Sequence, residues 1–131
     1  MRRRWLRAWL DHGRGVDACS SECGGMTLLI AASMGGQEAM VRMLLQRGAS
    51  VNLGNSDSGT ALINAAIGGH TRIVQVLLDA KADASLQKSD GKTALMLAAK
   101  AKHIAIVQLL LQHAKQQAAE AEAGAAVLIQ L

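Results

Sequence analysis

Apolar positions along this chain fall into two alternating kinds of cluster. Small ones hold Ala32, Ala65-Ala66 and Ala98-Ala99; broad ones hold Val41 with Leu44-Leu45, then Ile73-Val74 with Leu77-Leu78, then Ile106-Val107 with Leu110-Leu111. Both kinds recur at intervals of 33 residues, in step with Thr27, Thr60 and Thr93. Aligned on those threonines the chain reads TLLIAASMGGQEAMVRMLLQRGASVN, then TALINAAIGGHTRIVQVLLDAKADAS, then TALMLAAKAKHIAIVQLLLQHA. A repeat of that length predicts stacked units that bury their apolar faces on one another.

The middle copy shows how one unit is built. Asn55-Ser56-Asp57-Ser58-Gly59 has the composition of a tight chain reversal. Thr60 stands where a helix N-cap is wanted, its hydroxyl free to accept from an early amide. A two-turn helix is expected over Ala61 to Ile67, stopped by Gly68-Gly69. A second is expected over His70 to Ala80, with Ile73, Val74, Val76, Leu77 and Leu78 on one broad face. Isolated helices shorter than roughly 12–15 residues are marginal in water. The neighbouring units must therefore cover these faces, each buried Leu or Ile contributing about 1.5–3 kcal/mol. Ala65 and Ala66 let adjacent units approach closely.

This pattern resembles the ankyrin repeat, a 33-residue hairpin–helix–turn–helix unit. The residues that carry the likeness are Thr60, Leu62, Ala65, Ala66, Gly69, His70, Ile73, Val74, Leu77, Leu78, Ala82 and Asp83, with their counterparts in the other copies. The resemblance implies an all-α solenoid of stacked helix-turn-helix units joined by short hairpin-like loops. The chain departs from the family where its Pro is replaced by Leu28, Ala61 and Ala94, and its His by Ile30, Ile63 and Met96. In the third copy Lys102 replaces the helix-stopping glycine. Held left-handed, it would cost about 1–2 kcal/mol.

One domain is expected over 1–131: a partial capping repeat at 4–18, repeats at 22–54, 55–87 and 88–115, and a C-terminal capping helix at 116–131. Trp5, Leu6, Trp9 and Leu10, followed by Gly13, carry the first of these assignments; the same arginine- and tryptophan-bearing segment also has the make-up of a membrane-surface helix.

Composition narrows the functional classes. Two tryptophans are the only aromatic residues, and proline is absent, so no Pro-rich linker divides the chain. The net charge of +4 resides in residues 1–15, where five arginines face one aspartate; residues 16–131 carry nine basic and nine acidic side chains. Lysines gather in the third repeat, where Lys88, Lys92, Lys100, Lys102 and Lys115 face Asp90 alone. No apolar run is long enough to span a membrane, and the start has no uninterrupted apolar stretch typical of a secretory signal. Cys19 and Cys23, with His12, are too few for a structural zinc site and read as reduced thiols, which fits a cytoplasmic or nuclear setting.

No catalytic, metal or cofactor site is expected. His70 and His103 are 33 apart because the architecture repeats, and each is read as bonding a neighbouring unit's backbone. The glycine pairs lack the Gly-Lys-Ser/Thr ending of a phosphate loop.

The expected function is non-enzymatic binding of a partner protein across the concave side of the stack, by a chain that is monomeric in isolation. By the resemblance, the contact residues are Ser56, Asp57 and Gly59 on one tip and Ser89, Asp90 and Lys92 on the next. Met34, Ile67, Gly68, Lys100 and Ala101 join them on the first helices. Two alternatives stand beside this reading. One is nucleic-acid or membrane-surface binding through the basic start and third-repeat lysines, weakened by the absence of Phe and Tyr and of a continuous basic stripe. The other is a regulatory piece of a larger multidomain protein.

Overall fold

The computed structural model describes residues 19–20 and 25–130, with side chains from residue 25 to residue 119. The expected 4–18 cap, His12 and Cys23 lie outside them. A short antiparallel pair, β1 (Cys19–Ser20) with β2 (Met26–Thr27), leads into six helices. These are α1 (Leu28–Met34), α2 (Glu38–Gln46), α3 (Ala61–Gly68), α4 (Thr71–Asp79), α5 (Ala94–Lys100) and α6 (Ile104–Gln130).

Each first helix starts on its threonine. The hydroxyls of Thr27, Thr60 and Thr93 accept from the amides of Ile30, Ile63 and Met96 at 3.2, 3.3 and 3.3 Å. Gly68 belongs to α3, and the stop falls on Gly69 in the left-handed conformation. His70 and Ala80 are the caps of α4 rather than its first and last turns.

The helices form two rows. α3 packs between α1 and α5, and α4 lies beside α2 and α6. The small clusters line the first row: Ala32, Ala65, Ala66 and Ala98 are buried, as are Leu29 and Leu62. The branched clusters fill the space between rows, with Val41, Leu44, Val74, Leu77, Ile106 and Leu110 buried. The core is one continuous seam along the stack.

Left-handed backbone recurs at fixed points of the repeat. The hairpin position is Gly25, Ser58 and Gly91; the position between helices is Gly36, Gly69 and Lys102; the position after the second helix is Gly48 and Lys81. Lys102, at φ 63°, thus takes the strained conformation that its place in the pattern implies.

At the far end a C-terminal capping helix was expected over 116–131. Residues 116–130 continue α6 as one 27-residue helix. Ala114, the counterpart of Gly48 and Lys81, remains helical. A left-handed Ala would cost about 1–2 kcal/mol, and the following Lys, Gln, Ala and Glu are strong helix formers.

Candidate partner-binding surface

Successive repeats are tied at the ends of their first helices. His70 Nε2 lies 3.1 Å from the Met34 carbonyl oxygen, and His103 Nε2 lies 3.1 Å from that of Ile67. The rings need room. A Cβ on Gly36 would stand 2.8 Å from His70 Cε1, and one on Gly69 the same distance from His103 Cε1. Both glycines are also left-handed, so two demands meet on one residue.

These ties hold the backbone of Met34 and Ile67 while their side chains face solvent, at 44% and 43% exposure. Lys100 follows at the same register on α5, also exposed. Because α1, α3 and α5 lie side by side, the three side chains form a row: two apolar groups, then a cation. Gly68 and Ala101 follow Ile67 and Lys100 and are exposed. A Cβ on Gly68 would lie 2.6 Å from His70 Nε2, so its bare backbone makes space for the ring.

The hairpin tips are built by side chains bonding their own turns. Asn55 Oδ1 accepts from the amides of Asp57 and Gly59, both at 2.9 Å. In the next tip Asp90 Oδ1 accepts from the Lys92 amide at 3.1 Å. The tips are joined to each other, the Ser89 amide donating to the Asp57 carbonyl at 2.9 Å. Ser56, Asp57, Ser89 and Asp90 are exposed, and Lys92 is half-buried. Gly59 is not a surface residue: it is buried. A Cβ there would lie 3.3 Å from Asn55 Oδ1 and 3.5 Å from Asn64 Nδ2. Its role is to let the turn close.

A second ladder joins the loops after the second helices, where Asn52 Oδ1 accepts from the Asp83 amide at 2.7 Å. Asn52, the counterpart of Ser85, is one of the residues by which the first copy matches the repeat, but no role in joining the units was expected of it. The Ser85 hydroxyl, and then its amide, hold the Asp83 carboxyl below the ordinary carboxylate range. An open groove of about 600 Å³ lies on this side, between Asp79, Asp83, His113 and Gln116.

Among the described residues no three His, Cys, Asp or Glu side chains converge on a metal-sized site. Nor, among them, is any helix long and apolar enough to cross a membrane. The one ion pair among them is the exposed Arg42–Glu38 contact on α2, at 3.2 Å. Lys92, Lys100 and Lys102 are free of acidic partners within that set.

Capped helix pairs, paired hairpins and a seam of small residues define a helical repeat solenoid. Comparison with known families gives the same grouping: the profile described as ankyrin repeats (three copies) matches residues 48–122, and that of a single ankyrin repeat matches residues 24–56. The chain belongs to the ankyrin repeat family. Comparison with curated proteins gives no match.

Proposed function

We propose that this chain is a non-enzymatic interaction module that binds a partner protein through its hairpin tips and the exposed row of its first helices. Ankyrin repeats are generally protein–protein interaction modules. The observation that carries the reading here is the pair Met34 and Ile67, large apolar side chains kept in water on backbone that the histidines fix in place. Rigid apolar anchors of this kind lose little entropy on binding.

Lys100 continues the row, and Lys92 stands at the neighbouring tip. The partner that fits presents an apolar anchor flanked by acidic groups, the charges steering its approach and setting its register. Ser56, Asp57, Ser89 and Asp90 contribute hydrogen-bonding groups at the rim, with Gly68 and Ala101 giving a close approach to the helix ends.

The test is affinity capture from source-cell lysate with the intact chain and with the Ile67→Glu/Lys100→Glu variant, after matching their helix content and melting. A protein held by the parent and lost by the variant supports the surface. The same proteins recovered with both baits would refute it.

A further inference from the structure

The ladder between the loops is not continued at the third repeat. Asn52 Oδ1 accepts from the Asp83 amide; one unit on, Ser85 and Gln116 hold the equivalent places. Gln116 lies inside α6, so its amide serves the helix, and the Ser85 hydroxyl turns back to donate to the Asp83 carboxylate. The loop at Lys81–Asp83 is therefore not bonded to α6 by this rung. Between loop and helix is the open groove of about 600 Å³. It continues between α4 and α6 as a recess of about 210 Å³ along Leu109 and Gln112. Both walls are built by described residues.

The lining is rich in acceptors. Asp79 Oδ1 accepts from Gln75 Nε2 at 3.0 Å, and Asp83 Oδ1 accepts from both the amide and the hydroxyl of Ser85. The other oxygen of each carboxylate has no partner among the described residues. Lys81 is on the rim, yet neither aspartate is paired with it: the one ion pair among the described residues is Arg42–Glu38. The ring of His113 lines both parts of the groove from α6, and its buried Nε2 has no hydrogen-bond partner within the protein. A buried polar atom left unpaired is costly, so a third group here gains from an arriving hydrogen bond.

We propose that this groove receives an arginine side chain of a partner protein. The site is separate from the row of Met34, Ile67 and Lys100 and does not rest on that reading. Charge selects a cation, since two carboxylates outnumber one lysine in the lining. Hydrogen bonding selects the guanidinium. It carries five donors in a planar fork, enough to serve the free oxygen of a carboxylate and a further acceptor at once. The acceptors on offer are Asp79, Asp83, the Gln116 side-chain oxygen and His113 Nε2 in its acceptor tautomer. A guanidinium is also weakly hydrated and flat, which suits the apolar floor of Leu78 and Ala82. A lysine ammonium is a compact point charge with three donors and holds its water more strongly.

The test is an amide-detected NMR titration of the whole chain with acetyl-Ala-Arg-Ala-amide, and with the same peptide carrying Lys or Glu at its centre. Saturable movement is expected in the amides of residues 79–83 and 113–117, with a dissociation constant of about 1–10 mM for the arginine peptide. The lysine peptide should bind about threefold more weakly, and the glutamate peptide should leave these amides in place. Asp79→Asn and Asp83→Asn keep the oxygen that accepts from Gln75 or Ser85, so each should melt with the parent. Each should weaken binding about threefold, and the two together about tenfold. Ile67→Glu/Lys100→Glu should leave the titration unchanged, which separates this site from the first-helix row. No saturable movement up to about 50 mM peptide, movement only at the hairpin tips, or binding unaltered in the double aspartate variant overturns the site. A lysine peptide that binds as well as the arginine one overturns the choice of guanidinium.

Discussion

The ring of His103 and the carbonyl of Ile67 meet at 3.1 Å across a repeat boundary, so the residue that offers an apolar side chain to solvent has its backbone held by the following repeat. The same contact joins His70 and Met34 one unit earlier. A single device thus stacks the repeats and fixes the surface proposed for binding.

His103→Ala should lower unfolding stability by about 1 kcal/mol, the usual net worth of a hydrogen bond. Gly69→Ala should cost more, because the added Cβ meets the His103 ring and the backbone there is left-handed. Urea denaturation of the three proteins checks the order: parent, His103→Ala, Gly69→Ala.

Lys102→Gly should stabilise the chain by about 1 kcal/mol, through relief of the left-handed strain, less the added backbone entropy of glycine. Thermal melting reads this directly. No gain would mean that Lys102 makes compensating contacts.

Thr60→Ala should cost about 1 kcal/mol through loss of the N-cap bond to Ile63. Ala66→Leu should cost about 1–3 kcal/mol by overpacking a fully buried site between first helices. If the Leu variant melts with the parent, the seam along the first row is looser than its burial indicates.

Asp83 should titrate below an ordinary aspartate, and Ser85→Ala should return it upward, since the Ser85 hydroxyl is the largest cause of the shift. A carboxyl whose folded pKa is depressed adds stability above its unfolded pKa, and that contribution is lost as pH falls through the folded value. Carboxyl-detected NMR titration of both proteins is the check. Because the group is almost wholly in water, the effect on stability is small.

Much of this fold was legible because the sequence states it three times. The caps at Thr27, Thr60 and Thr93, the alanine seam and the two histidine ties all follow from residue type at a fixed repeat position. The candidate surface was legible less evenly. Met34 and Ile67 could have packed inward as ordinary core residues, and only their exposure in the structure separates the two cases. Gly59 was assigned to the surface by the resemblance, as a hairpin-tip residue, yet it is buried with the side chains of Asn55 and Asn64 beside it. The far end was legible only in part: a helix was expected over 116–131, and its continuity with the second helix of the third repeat follows from strong helix formers where the sequence lacks the turn of the earlier units.

The most direct test of the binding account uses methionine methyl resonances, with the captured partner titrated into methyl-labelled chain. Met34 lies on the proposed surface, while Met40 and Met43 are partly buried on α2, in the other row. The account predicts that the Met34 signal shifts or broadens while those of Met40 and Met43 stay in place. Movement of Met40 and Met43 with Met34 unchanged would contradict it and put the partner on the second-helix side.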